Sequence, residues 1–369
     1  MKYIYIPFLF FILAPVFGQS NSILQKSMFS VDANFGYNLS RVNTNYYFEE
    51  SMPTSFQLSW QKSNYLDVNS LSKYGYADFG LTFLYHDFKD QTLGKNFGFY
   101  AFMEYYLWRP NKKWHLSTRI SLGVAYNTNP YNKTYNQKNM LFGSHWLFPI
   151  DIGIWLKSPK ILRRWRLQTG FSIFHYSNGN IQSPNYGQNT PSVSFGVIYD
   201  LKKDSVVLQK RKLPYSKNWQ YVVFLRAGVN ESDYTDSGVF PFYIPGFQVE
   251  KHLNYRHKLI IGTEFFMSYF LKELIRHEYR TMPEYHIQKI DDFKRLGVFL
   301  EHEFFYQKLG IDIGMGYYVY YPYHFESRYY NRLGVKYYYN KNFRLSYTIK
   351  TYGLNKAEAM EFSLMYKLN

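Results

Sequence analysis

FSVDANFGY (Phe29–Tyr37) and LGIDIGMGY (Leu309–Tyr317) alternate strictly between an apolar residue and a small or polar one. A period of two places successive side chains on opposite faces, which is typical of a β-strand rather than a helix. The same alternation recurs in SFQLSWQ (Ser55–Gln61), ADFGLTFLY (Ala77–Tyr85) and WHLSTRISLGV (Trp114–Val124). The polar face consists mainly of Gly, Ser, Asn and Gln with single charges, whereas a solvated sheet is usually rich in Lys, Glu and Thr. The polar face suits the inside of a closed barrel, and the apolar face suits its lipid-facing wall. We therefore predict an all-β fold of antiparallel transmembrane β-barrels.

The composition excludes several other classes of protein. The 369 residues include no Cys, so a disulfide scaffold, a Cys-ligated metal site and a thiol nucleophile are excluded. A mean hydropathy of −0.39 argues against a bundle of membrane helices. Aromatic residues make up 22% of the chain, which suits strands whose outer faces meet lipid and its interfaces.

The chain begins with a short, continuous apolar segment that lacks the alternation of the later strands. Met1 and Lys2 precede an apolar run from Tyr3 to Phe17, and Gly18 follows as a small residue suited to cleavage. This pattern predicts a secretory signal peptide over residues 1–18, with a membrane anchor as the alternative reading. No later run reaches the length and apolarity of a spanning helix, so an exported chain is free in the periplasm, secreted, or inserted in a membrane as a β-barrel.

The strands fall into two sets around a basic segment, LKKDSVVLQKRKLPYSKN (Leu201–Asn218). We predict an eight-stranded barrel over 19–204, a linker over 205–218 and a second barrel half over 219–369. The predicted strands start near Phe29, Ser55, Tyr76, Asn96, Trp114, Leu147, Trp165 and Ser192, then near Trp219, Phe242, Lys258, Leu296, Leu309, Arg332, Phe343 and Glu361. Eight strands close around packed side chains, for which Tyr100, Phe102 and Tyr106 are candidates. One barrel of about sixteen strands is the alternative.

One segment combines residue types that carry chemistry: FHYSNGNIQSPNYGQNTPS, Phe174–Ser192. On the strand that leads into it, Phe171 and Ile173 face lipid by parity, and extending the count places His175 and Ser177 on the same face. Side chains at i and i+2 point the same way, with Cα atoms about 6.5–7 Å apart. A histidine beside a serine is the base and nucleophile pair of many hydrolases.

This segment resembles the outer-membrane lipid A 3-O-deacylase (acyloxyacyl hydrolase) family. The family's pattern of His-x-Ser-Asn, then Pro-Asn, then Gly is matched by His175, Ser177, Asn178, Pro184, Asn185 and Gly187. The resemblance implies an eight-stranded barrel with its site on the outer wall, and hydrolysis of an ester-linked acyl chain of lipid A. It implies Ser177 as nucleophile and His175 as general base, with Asn178, Asn185 and Gly187 supporting the oxyanion site.

The sequence departs from the family at the third catalytic position. Asn189 stands where the family has an acid. An Asn carbonyl can fix the histidine tautomer, but it supplies no negative charge to stabilise the imidazolium. Asp151 and Asp200 point inward by parity and are poor substitutes. The chemistry implied for Ser177, His175 and Asn189 requires no metal and no cofactor.

The net charge and the second half of the chain bear on the predicted partner and on the alternative function. The net charge of +16 suits the phosphates of lipopolysaccharide in an outer membrane, and export argues against nucleic acid as the partner. The second half has Thr351 and Gly353 where the first has His175 and Ser177, so it carries no visible site. A non-enzymatic barrel, which acts as a channel, a structural protein or a lipopolysaccharide-binding protein, is therefore the alternative function.

Overall fold

Seventeen β-strands and one α-helix are present in the residues that the computed structural model describes, which are 27–39, 51–63, 71–72, 75–108, 113–201, 214–232, 234–282, 292–306, 308–325, 327–353 and 356–368. The strands are β1 (Ser27–Gly36), β2 (Thr54–Ser63), β3 (Ala77–Asp87), β4 (Lys95–Tyr106), β5 (His115–Asn127), β6 (Trp146–Leu147), β7 (Ile150–Lys157), β8 (Trp165–Tyr176), β9 (Gln188–Asp200), β10 (Gln220–Glu231), β11 (Val239–His252), β12 (His257–Ser268), β13 (Arg295–Tyr306), β14 (Leu309–Tyr320), β15 (Tyr329–Tyr338), β16 (Phe343–Tyr352) and β17 (Lys356–Lys367); the helix is α1 (Tyr269–Thr281).

Both strand sets close into antiparallel barrels. In the first, the order β4-β3-β2-β1-β9-β8-β7-β5 is closed by pairing of β4 with β5, and the two-residue β6 also pairs with β5. In the second, β10 to β17 follow in chain order, and β10 pairs with β17. The prediction of two eight-stranded barrels is confirmed, and the alternative of one sixteen-stranded barrel is wrong. Closure gives each strand of the ring a hydrogen-bonded neighbour on both of its edges, as a bilayer requires.

The chain separates into two units whose bounds differ from a simple division at the linker. The first unit is Met1–Asn178 with Tyr186–Lys212, and the second is Gly179–Asn185 with Leu213–Asn369. The predicted signal peptide, residues 1–18, lies outside the described residues, as does 205–213 of the predicted linker. The domain bounds 19–204, 205–218 and 219–369 therefore stay predictions.

The alternation in the sequence becomes the inner and outer faces of each wall. In the first barrel Val31 is 49% exposed and its strand neighbour Asp32 is fully buried. The predicted interior residues Tyr100, Phe102 and Tyr106 are all buried. The apolar outer positions and polar inner positions are the reverse of a soluble protein, and they fit a barrel in lipid.

Buried charges fill the first barrel and are paired with one another. The Glu104 carboxylate contacts the Arg119 guanidinium at 2.8 Å and the Lys157 ammonium at 2.5 Å. The guanidinium also lies 4.3 Å from the Phe102 ring centroid and 4.5 Å from that of Trp155. A buried charge is tolerated only when it has such partners.

The second barrel has a larger network of the same kind. Arg332 donates to both oxygens of Glu361 at 2.7 and 3.0 Å, and Lys336 contacts Glu303 at 3.0 Å and Asp312 at 3.2 Å. All five side chains are buried. Paired charges of both signs therefore occupy this interior. In a wide aqueous pore, the same side chains would be exposed to water.

Helix α1 directly follows β12, and the sequence analysis did not predict it. Phe270, Leu271 and Leu274 on one side of the helix are buried and pack against aromatic residues that include Phe240 and Phe325. The apolar run that ends β12 continues into the first turn of the helix, which hid the change of period from two to 3.6. Within the described ranges, no helix combines the length and apolarity needed to cross a membrane.

We expect Glu104→Ala to destabilise the first barrel by about 3–5 kcal/mol, because Arg119 and Lys157 would then be buried cations without a counter-charge. The free energy of unfolding in detergent, measured with urea, checks this. The control is Asp87→Asn at the exposed pairs with Lys89 and Lys95, which we expect to cost less than about 1 kcal/mol. Equal effects of the two substitutions would contradict the interior network as a source of stability.

Candidate active site

His175 and Asn189 face each other across the outer wall of the first barrel. The two residues are register partners on β8 and β9, so their side chains lie on the same face of the sheet. Ile173, two residues before His175 on that face, is 44% exposed, which identifies it as the outer face. The Nδ1 atom of His175 lies 2.8 Å from Oδ1 of Asn189. The structure thus places the predicted third residue in contact with the predicted base.

Ser177 lies just beyond the end of β8 and is only 3% exposed. Its carbonyl accepts the backbone N–H of Phe148 at 2.7 Å. Strand β8 ends at Tyr176, so the alternation does not extend to Ser177, and its place on the lipid-facing row stays a prediction. Its buried Oγ has no hydrogen-bond partner within the described part of the chain, and an unpaired buried hydroxyl is a group with capacity for a ligand or a reaction.

Gly187 brings His175 and Ser177 to the same small space. A Cβ atom built on Gly187 would lie 3.3 Å from Cε1 of His175 and 3.5 Å from Cβ of Ser177. Gly187 also has a φ of +70°, a left-handed conformation that favours glycine. Its N–H donates to the carbonyl of Leu141 at 3.1 Å. Its lack of a side chain therefore leaves room for the two side chains.

An asparagine-rich loop, NTNPYNKTYNQKN (Asn127–Asn139), supports this part of the site, and the sequence analysis missed it. The Asn139 side chain donates to the carbonyls of Thr92 and Asn129, and its Oδ1 accepts the N–H groups of Leu141 and Phe142. Leu141 in turn accepts the Gly187 N–H. The repeated Asn was the available signal, since Asn commonly bonds to backbone in turns.

The other predicted residues have different surroundings. Asn178 is fully buried, and Asn185 is half-buried in the segment that groups with the second unit. Asp151 and Asp200 are buried on the inner face, as parity predicted, and Asp200 pairs with Arg166 at 3.0 Å. The structure thus brings together His175, Ser177, Gly187 and Asn189. In the described residues, no group of three or more His, Asp or Glu side chains is arranged to hold a metal ion.

Two family models match the chain, one for each barrel. The model described as lipid A 3-O-deacylase matches residues 54–197, and the model described as acyloxyacyl hydrolase, C-terminal domain, matches residues 218–369. Each model spans one barrel, and the predicted resemblance to the lipid A 3-O-deacylase family is confirmed. Both descriptions are those of hydrolases. The predicted family and barrel fold are therefore confirmed, and the coarse part of the predicted activity and location is supported.

Several solved structures are similar to parts of the chain. The outer-membrane enzyme PagL has 20% identity and a TM-score of 0.33, and the match covers 45% of this chain and 97% of that one. A Rhodopseudomonas blastica porin variant has 7% identity and a TM-score of 0.18, covering 93% and 100%. CdiB from Acinetobacter baumannii has 10% identity and a TM-score of 0.20, covering 93% and 60%. The search of curated proteins found no match.

We expect Gly187→Ala to abolish most of the hydrolase activity, because the new methyl group would lie 2.9 Å from the carbonyl oxygen of Tyr176 and crowd His175 on an already left-handed backbone. Gly94→Ala is a matched control in the same barrel, since Gly94 has a φ of +68° and would meet Thr128 and Asn129 instead. Each substitution should cost about 1–2 kcal/mol of stability through backbone strain. Hydrolysis by equal amounts of folded protein is the measurement, and equal activity of both variants would contradict the role of Gly187.

Proposed function

We propose that the chain is a serine esterase that hydrolyses ester-linked acyl chains of lipid A in the outer membrane. Ser177 is the nucleophile, His175 is the general base, and Asn189 orients the imidazole. The observation that carries this proposal is the 2.8 Å contact of His175 with Asn189 at a place where His175 and Ser177 both border Gly187. In a serine hydrolase the orienting residue contacts the base, and the base takes the proton of the nucleophile.

The contact with Asn189 fixes which nitrogen of His175 can act as the base. The Oδ1 atom of an amide can only accept a hydrogen bond, so Nδ1 of His175 donates. In neutral imidazole the other nitrogen, Nε2, then carries the lone pair. This nitrogen is the one that would take the Ser177 proton. The neutral Asn189 holds the tautomer, and it gives the imidazolium no opposite charge.

The reaction follows in two steps with one covalent intermediate. Oγ of Ser177 forms a bond to the ester carbonyl carbon, its proton passes to His175, and the carbonyl oxygen becomes an oxyanion. The amide groups of Asn178 and Asn185 are the proposed support for that charge. The bond to the sugar oxygen breaks and that oxygen takes the proton from His175. Water then attacks the acyl-serine, and the fatty acid leaves with Ser177 restored.

The surroundings of His175 support a lipid substrate. On its face of the wall, Phe171 is 51% exposed, and Phe195 on the neighbouring strand is 58% exposed. These apolar side chains would contact the acyl chains of a lipid in the bilayer. The ester group of that lipid would then lie at the membrane surface, near the end of the strand. The family supplies lipid A as the member of that substrate class, and the net charge of +16 suits its phosphates.

The non-enzymatic alternative divides into a channel and a binding protein. The buried pairs of Arg119 with Glu104 and of Arg332 with Glu361 argue against a wide channel through either barrel. Asn189 in place of an acid favours a protein that binds lipid A and turns it over slowly. Measurement of turnover decides between this binding protein and the esterase.

We expect Ser177→Ala to lower deacylation by at least about 10³-fold, because the nucleophile is removed. Mass spectra of lipid A from cells that produce each variant are the measurement. Ser172→Ala is the matched control, since Ser172 is a buried serine on the inner face of β8, the strand that precedes Ser177. Full activity of Ser177→Ala, or an unchanged acyl pattern with the unaltered protein, would reject the proposed function.

Asn189 offers a graded test of the orienting role. We expect Asn189→Ala to lower kcat by about 10²-fold, because the imidazole loses the acceptor that fixes its tautomer. Asn189→Asp should raise kcat by roughly tenfold, because a carboxylate stabilises the imidazolium that forms during attack. Rates on purified lipid A in detergent check both values. A rate that is the same for Ala, Asn and Asp would show that Asn189 does not act through His175.

A further inference from the structure

The segment Gly179–Asn185, here called the site loop, is part of the second unit, although it follows β8 in the chain. It groups with Leu213–Asn369, whereas Asn178 before it and Tyr186 after it belong to the first unit. The site loop is therefore the chain that joins Ser177 and Asn178 to Gly187. Its conformation bears on the residues at both of its ends through the backbone.

Asn180 bonds to the end of β10 through both its main chain and its side chain. Its carbonyl accepts the N–H of Glu231 at 3.2 Å, and its Nδ2 donates to the Glu231 carbonyl at 3.0 Å. Nδ2 also lies 3.3 Å from the carbonyl of Glu358. Asn180 has a φ of +63°, a left-handed conformation that Asn adopts more readily than most residues.

Ser183 is held by the Glu231 side chain. Its N–H donates to Oε2 of Glu231 at 2.8 Å, and its hydroxyl donates to the carbonyl of Ser232 at 2.8 Å. The other carboxylate oxygen of Glu231 accepts the N–H of Gly238 at 3.1 Å. Glu231 is 2% exposed, so both bonds to its charged group are shielded from water. Hydrogen bonds to an ionised acceptor are about twice as strong as neutral ones.

Gly179 begins the site loop where it approaches β17 closely. A Cβ atom at Gly179 would overlap the side chain of Met360, and the residue has a φ of +66°. Only glycine fits this position without displacement of Met360. The loop is therefore fixed near its start by packing, and at Asn180 and Ser183 by hydrogen bonds.

We propose that Glu231 is a positioning residue for the esterase site, because it holds the site loop that leads from Asn178 to Tyr186. This inference rests on the proposed function of Ser177 and His175. Glu231 fixes the backbone two residues before Asn185 and two residues after Asn178, the two proposed oxyanion donors. Donors held in place before the reaction stabilise an oxyanion better than donors that must be ordered during it.

The test compares full-length Glu231→Ala and Glu231→Gln with the unaltered protein. We expect Glu231→Ala to lower kcat at least tenfold with little change in KM, because acyl-chain binding is retained and donor placement is lost. Glu231→Gln keeps one acceptor oxygen and should retain an intermediate kcat. Glu303→Gln is the matched control, since Glu303 is a buried carboxylate of the same barrel that bonds to Lys336 and Tyr338. Its kcat should stay near that of the unaltered protein.

A second measurement reports the site loop directly. The chain has no Cys, so Gln182→Cys provides one attachment point for a nitroxide label on an exposed loop residue. We expect the label to become more mobile with Glu231→Ala and to stay unchanged with Glu303→Gln. If Glu231→Ala does not fold, Glu231→Gln carries both measurements, with an intermediate kcat and an increase in label mobility expected.

The outcomes separate this inference from the proposed function. Loss of activity in Ser177→Ala with full kcat and an immobile label in the Glu231 variants would overturn the positioning role alone. Full activity in Ser177→Ala would overturn the proposed function. An equal loss of kcat in Glu231→Ala and Glu303→Gln would overturn the positioning role too, because it would show a general effect of damage to the second barrel.

Discussion

A strand in hydrocarbon has no water to satisfy its N–H and C=O groups, so it must pair on both sides. Pairing of β4 with β5 and of β10 with β17 meets this requirement in the two barrels. Closure also decides where each side chain points. The outer face must be apolar, and the inner face, cut off from lipid, collects polar groups that must satisfy one another. The Glu104 and Arg332 networks follow from that enclosure.

The same constraint shapes the site. A lipid substrate is reached only from the outer wall, and strand pairing sets His175 and Asn189 side by side there. The inner carboxylates, Asp151 and Asp200, cannot reach His175 because the sheet lies between them. An orienting residue on the outer wall is near hydrocarbon, where a neutral amide costs less to desolvate than a carboxylate. In its proposed orienting role, Asn189 would give no charge stabilisation to the imidazolium, but it costs less to place near hydrocarbon than a carboxylate.

The sequence predicted those features that depend on local alternation. Strand positions, the two barrels and the inward direction of Tyr100 follow from a period of two, since parity is a property of neighbouring residues. Helix α1 was missed because its first apolar residues, Phe270 and Leu271, continue the apolar end of β12. The burial of Ser177 was missed because it depends on contacts with residues distant in sequence, such as the hydrogen bond from Phe148. No periodicity encodes contacts of that range.

The second barrel has Thr351 and Gly353 at the positions that correspond to His175 and Ser177, the proposed base and nucleophile, and it contains Glu231, the proposed positioning residue. A short loop rich in Asn, Ser and Gly cannot hold a fixed conformation alone, because each ordered residue loses conformational entropy. A strand end in a closed barrel is already ordered. When Glu231 at the end of β10 binds the backbone of Ser183, the loop gains contacts with a rigid partner. In its proposed role, Glu231 thus contributes to catalysis through the rigidity of the loop rather than through contact with the substrate.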